Sequence, residues 1–137
     1  DHPDRTPEGA PKITPLRVNP EHGVASRDHD PRGLKVLGAD DEVAGTVKDL
    51  WMDRSEMMFR YIEVQLNDSE QTVLLPVPFA RITDEQVKVH AILAHQFRDV
   101  PGHRNADEVT LLEEEKISAY YGAGTLYATP ARQEPLV

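Results

Sequence analysis

The sequence has no cysteine, which excludes a disulfide, a thiolate metal site and a thiol nucleophile. Basic residues are scarce. Fifteen Lys and Arg stand against 24 Asp and Glu, a formal charge of −9 with histidines neutral. That balance argues against a nucleic-acid partner, because phosphate binding needs a positive surface. It also argues against simple electrostatic attachment to anionic lipid. No apolar run approaches the ~20 residues that span a bilayer, and no signal-peptide pattern is visible. There is no Gly-rich phosphate loop, no HExxH and no GxSxG. With no nucleophile–base arrangement to set against this, the chain is expected not to be an enzyme. It opens at Asp1 without a methionine, inside polar, proline-rich sequence, and is expected to be a fragment or a mature chain that has lost an N-terminal part.

What is present suits one domain with some irregular chain: 137 residues, 28% charged and 39% hydrophobic. Residues 1–33 hold Pro3, Pro7, Pro11, Pro15, Pro20 and Pro31, six of the eleven prolines. That spacing prevents helix and removes ladder donors, so this stretch should be extended and irregular. Within it, "KITPLRV" is a short extended piece suited to lying on another surface; the segment as a whole is expected to be a mobile tail in the isolated chain, with an extended segment that orders only against a partner as the alternative.

From Leu34 the pattern changes to short strands. "LKVLG", "VAGTVKDLWMD", "MFRYIEVQL", "QTVLLPV", "ARIT" and "QVKVHAI" are six candidates separated by turn residues. In the third, Phe59, Tyr61, Glu63 and Gln65 alternate with Arg60, Ile62, Val64 and Leu66. Six short strands over 34–92 predict a small antiparallel barrel or sandwich, since closure removes exposed edges.

After Ile92, "LAHQFRDV" reads as one or two helical turns before Pro101-Gly102. A helix is expected over 107–121, capped by Asn105 or Asp107 and ended by Gly122 and Gly124. Val109, Leu112, Lys116, Ile117 and Tyr120 are spaced to form its buried face. Tyr120 is the expected core tyrosine, and Glu113, Glu114 and Glu115 read as a solvated helix start. "TLYATP" is a short extended coda before a polar tail.

The six histidines give no metal-site spacing: His90 and His95, five apart, do not share a helical face, and His2, His22 and His29 lie in the irregular segment. Trp51 reads as core or interface packing. The stretch "EVAGTVKDLWMDRSE" ends in Asp53 and Glu56. A strand-end Asp and a turn Glu are ordinarily solvated, whereas crowded carboxylates raise one another's pKa and share protons. Composition does not decide between these.

Two longer stretches carry a resemblance. "DPRGLKVLGADDEVAGTVKDLWMDRSEMMFRYIEV" resembles the cytoplasmic domain of the H subunit of the purple-bacterial photosynthetic reaction centre. "VTLLEEEKISAYYGAGTLYATPAR" resembles the end of the same subunit. The likeness covers nearly all of 12–132, including "KITPLRV"; the barrel part alone indicates only the wider PRC-barrel class. The resemblance implies a mostly β fold: a PRC-type antiparallel barrel at 34–104 with its following short helical turns, an extended segment at 1–33, and a C-terminal helix and tail at 105–137.

It also implies a non-catalytic role. Such a subunit caps the cytoplasmic face of the L and M subunits at the bacterial photosynthetic membrane, stabilises the complex and assists proton delivery to the secondary quinone. Bacteriochlorophyll, bacteriopheophytin, quinones and non-haem iron are carried by the partners, with no cofactor bound by this chain. Family members bear one N-terminal transmembrane helix, which this sequence lacks. By the resemblance, Asp53, Glu56 and Arg60 fall on positions along the proton route. The family's histidine-containing surface cluster has no counterpart in "RTPEGAPKI", which offers Glu8 alone. The rival reading is a free-standing PRC-barrel adaptor of the ribosome-maturation-factor kind.

Overall fold

A computed structural model describes residues 12–18 and 30–125. Seven strands form one sheet: β1 (Ile13–Pro15), β2 (Lys35–Leu37), β3 (Val43–Asp53), β4 (Met58–Leu66), β5 (Thr72–Pro76), β6 (Ala80–Ile82) and β7 (Gln86–Val89). Along the sheet the order is β5-β4-β3-β2-β7-β6, with β1 paired to β3 beyond the end of β2. The sheet curls into a barrel-like form without full closure. Every pairing is antiparallel except β2 with β7, which run parallel. The all-antiparallel expectation is corrected on that one pair. β2 is followed by a complete β3–β4–β5 meander, and the chain then returns along β2's other edge in the same sense.

The register explains why this sheet is buried on both faces. Leu50 lies across from Ile62, and Ile62 across from Leu75; Val47 aligns with Val64, and Val64 with Val73. These six residues are buried and make one apolar face. The alternate rows, Trp51 with Tyr61 and Asp49 with Glu63 and Leu74, form the other face. Side-chain alternation would leave that second face to water. Instead three pieces of chain cover it: residues 12–18, residues 100–110 and the C-terminal helix. Trp51 is completely buried there, with the ring of His103 edge-on at 5.2 Å.

The strand β1 is the "KITPLRV" piece. The surface it lies on is the chain's own, with Ile13 opposite Asp53 and Pro15 opposite Trp51. Proline is tolerated because β1 pairs on one side only. A 3-10 turn, Leu16–Val18, completes this strap. The helical turns expected after Ile92 form a 3-10 helix, Ala94–Asp99.

The helix α1 spans Leu111–Gly124, starting four residues later than expected. Its N-cap is Thr110, not Asn105 or Asp107. The Thr110 hydroxyl accepts from the Glu113 amide while the Glu113 carboxylate accepts from the Thr110 amide. Glu113 is therefore half of a capping box, and Glu114 accepts from the Tyr61 hydroxyl at 2.8 Å; of the three glutamates only Glu115 is exposed. The buried face is Ile117 and Tyr121. Leu112 and Lys116 are exposed, and Tyr120 is half-buried. The core tyrosine is thus Tyr121, which stacks on Phe79 and donates to the Leu74 carbonyl. Gly122 lies inside the helix and Gly124 is its last residue. A Cβ on Gly124 would sit 2.4 Å from Ile92, so this glycine serves close packing rather than a left-handed turn. The segments holding Glu8, His2, His22, His29 and the coda beyond Thr125 lie outside the described residues.

Candidate functional site

The site begins with a tight hairpin. Strand β3 ends at Asp53 and β4 begins at Met58. The Asp53 carbonyl accepts the Met57 amide at 2.7 Å, and its carboxylate Oδ1 accepts the amides of Ser55 and Glu56 at 2.9 and 3.0 Å. Aspartate suits this place because a short carboxylate can bind backbone two and three residues on. Met57 takes φ 55° to complete the turn. Asp53 itself has no exposed surface, so it is not the solvated strand end that its position alone would predict.

A bulge brings Arg60 to it. Trp51 pairs with Tyr61 and Met52 with Phe59, so Arg60 is the extra residue on β4. An unpaired bulge residue re-aims its side chain. Arg60 donates through Nε to Asp53 Oδ2 at 3.2 Å and through its other arm to Glu56 Oε2. The three residues selected from the sequence therefore form one group: a buried carboxylate, a half-exposed guanidinium and an exposed carboxylate.

The electrostatics of Asp53 run opposite to the crowded-acid expectation. Burial, the largest influence, pushes its carboxyl up. The Glu56 amide, the Arg60 guanidinium, the Ser55 amide and the Lys12 ammonium together outweigh it and hold the carboxyl below the ordinary carboxylate range. Asp53 is held as the anion by two amides on Oδ1 and the Arg60 guanidinium on Oδ2, with the Lys12 charge beside them.

The sequence reading missed two further parts. Lys12, on the strap, places Nζ 3.6 Å from Asp53 Oδ2, and its carbonyl accepts the Arg54 amide at 2.7 Å. Five residues on, Arg17 enters a second polar cluster. Its Nη1 reaches Asp49 Oδ2 at 3.1 Å and Glu63 Oε1 at 2.8 Å. Its backbone amide donates to Asp49 Oδ2, and its Nη2 donates to the Ala106 carbonyl and pairs with Asp107. Glu63 also accepts the Trp51 indole N–H at 2.8 Å and faces Lys48 at 3.8 Å. Asp49 and Glu63 are 4% and 2% exposed, so their charges need these partners. Arg17 loses solvation on burial, but its bonds and charge contacts with Glu63, Asp49 and Asp107 raise its pKa. One signal was present in the sequence: Glu63 shares the strand face of Tyr61. Nothing local showed that chain from residue 17 would cover that face.

Among the described residues, no group of three His, Asp or Glu side chains is placed to hold a metal ion. No helix among them is long and apolar enough to cross a membrane.

The arrangement is that of a small β module with one charged group at a hairpin and another under a strap. The PRC-barrel domain family matches residues 23–97. That span is more than half of the chain, and the chain belongs to the PRC-barrel family.

Proposed function

We propose that this PRC-barrel chain is an H-type subunit of a photosynthetic reaction centre, and that it caps the cytoplasmic side of pigment-bearing L and M subunits. One observation carries the reading. The parts of the H-subunit resemblance outside the family match, "KITPLRV" and "LLEEEKISAYYGAG", are built into the same fold as β1 with its 3-10 turn and as α1. Neither β1 nor α1 lies within the residues that the family match covers. Here both cover the second face of the sheet, over Trp51, Tyr61 and Glu63.

In this role the chain does no redox chemistry. The quinones, iron and chlorin pigments belong to the partners, and the chain reaches the photosynthetic membrane through them. Its contribution to proton delivery rests on the hairpin group. Asp53 is the fixed anion that positions Arg60. Arg60 in turn holds Glu56, the solvent-facing carboxylate, at the hairpin tip. Reduction of a buried quinone to quinol consumes two electrons and two protons, so an ordered carboxylate–guanidinium group at the covering surface gives arriving protons a defined last station before the partner subunits.

The test is assembly. The tagged chain, mixed with reaction-centre particles stripped of their own H subunit, should elute with near-infrared pigment absorbance at one copy per particle. Elution free of pigment at micromolar concentrations, with the chain folded, contradicts the reading and returns the free-standing adaptor.

A further inference from the structure

We propose that Lys12 is a working member of the Asp53–Arg60–Glu56 group, and that Arg17 governs it from a distance by fixing the strap that carries both cations.

Three geometric facts carry the inference. First, the strap is anchored at both ends to acidic residues of the same strand. Lys12 meets Asp53 at the end of β3, and Arg17 meets Asp49 four residues earlier. Second, the two anchors differ in kind. Lys12 reaches Asp53 by a charge–charge contact at 3.6 Å and gives its carbonyl to the Arg54 amide. Arg17 spreads donors over Asp49, Glu63 and the Ala106 carbonyl, with Asp107 beside them. A guanidinium fork with several buried acceptors holds one geometry, which a flexible ammonium cannot. Third, Arg17 makes its bonds to Asp49, Glu63 and Ala106 and none to the hairpin group, and β1 is the piece of chain that joins it directly to Lys12.

The charged groups that meet the Asp53 carboxylate are Lys12 from the strap and Arg60 from β4, and Arg60 also holds the Glu56 carboxylate of the hairpin turn. Asp53 and Glu56 lie on the chain's own hairpin and Arg60 on its partner strand, so all three stay together when the strap moves. Lys12 alone leaves. Strap docking therefore adds one positive charge to the group, and strap release removes it while letting water reach Asp53. Lys12 is a charge-setting residue for the site, and Arg17 is a positioning residue for Lys12. The relevance to proton delivery rests on the reaction-centre reading, but the coupling itself is a property of the chain alone.

The experiment reads the Asp53 side-chain carboxyl carbon by NMR titration in the full chain, with backbone amide exchange measured alongside. Lys12→Gln keeps the strap docked and removes only the charge, so the Asp53 midpoint should move up, and Lys12→Arg should restore it. In an Arg17→Gln background the Lys12→Gln substitution should no longer move Asp53. The Arg54 amide, whose acceptor is the Lys12 carbonyl, should then exchange at least about tenfold faster, because local opening sets its protection. Should Arg17→Gln fail to fold, Arg17→Lys keeps a positive charge without the fork and should show the same loss of coupling in part. An unchanged Asp53 midpoint in Lys12→Gln overturns the first half of the proposal. A full Lys12→Gln shift persisting in both Arg17 variants overturns the second. Neither outcome depends on whether the chain docks to a reaction centre.

Discussion

Trp51 donates its indole N–H to Glu63 across the β3–β4 pair at 2.8 Å, both residues being essentially without solvent contact. The same carboxylate oxygen accepts from Arg17. The lone tryptophan is thus both packing and counter-donor for a buried charge. Trp51→Phe keeps most of the ring volume but removes one donor, and should cost about 1–2 kcal/mol. Glu63→Leu strands the indole N–H and takes from Arg17 one of its two buried carboxylate partners, and should cost more, about 3 kcal/mol. Urea unfolding followed by circular dichroism, with an unchanged slope, checks both values and their order.

Acid should unfold the domain through identifiable carboxylates. Burial pushes Asp53 up, but its three hydrogen-bond donors and the Lys12 charge hold it below its ordinary 3.8. Glu113 is likewise pushed up by burial, and held below its ordinary 4.5 by the Thr110 and Arg104 amides, the Thr110 hydroxyl and His103. A depressed folded value means the unfolded state binds protons first. The stabilisation is therefore complete above those ordinary values and is lost as pH falls through the lower, folded ones. Stability measured from pH 6 downwards should be level, then fall below about pH 4.5. Asp53→Asn and Glu113→Gln should each lower the plateau and flatten the acid limb. An acid limb of unchanged steepness in both variants would show that other groups control it.

Much of this fold was legible in the chain. The segments "VAGTVKDLWMD" and "MFRYIEVQL" are β3 and β4 residue for residue, because turn residues punctuate them clearly. The helix start was not legible. Asn105, Asp107 and Thr110 all have capping side chains, and only the tertiary position of Val109, buried at 1% exposure, selects the last. Tyr121 takes the core place expected of Tyr120 for a related reason: a helix offset by a few residues presents a different stripe. The hairpin group could be chosen only through resemblance, since composition cannot show that a bulge turns Arg60 toward Asp53. Asp49 and Glu63 carry no such signal in the sequence, because carboxylates rarely lie buried and their cover comes from chain more than thirty residues away.

Gly45 tests the register. A Cβ there would lie 2.0 Å from the Gln65 carbonyl oxygen on the neighbouring strand, and backbone in a sheet interior cannot move aside. Gly45→Ala should destabilise by more than about 2 kcal/mol, through strain of the overpacking kind. Gly102→Ala, with open space around its Cβ position, should change stability by less than about 0.5 kcal/mol. Thermal unfolding of the two variants side by side gives the comparison.

The capping box makes a smaller, sharper prediction. Thr110→Ala removes the hydroxyl acceptor of the Glu113 amide and should cost about 1 kcal/mol, while Thr110→Ser should cost only a few tenths. Because α1 covers part of the second face of the sheet, the loss should appear in global unfolding and not as fraying alone. Hydrogen exchange at the Tyr121 and Ile117 amides distinguishes these.

Flash-induced proton uptake by an assembled reaction centre bears most directly on the role of the hairpin group. The substitutions Asp53→Asn and Glu56→Gln, made together, keep the side-chain shapes and remove both carboxylates. With the variant chain shown to be folded and bound, the proton-coupled second electron transfer to the secondary quinone should slow several-fold near neutral pH. Primary charge separation should stay unchanged, because in the proposed assembly its cofactors belong to the partner subunits. Proton uptake at the unmodified rate across neutral pH, in particles carrying the variant chain, would contradict the account and leave Asp53 and Glu56 as structural parts of a hairpin.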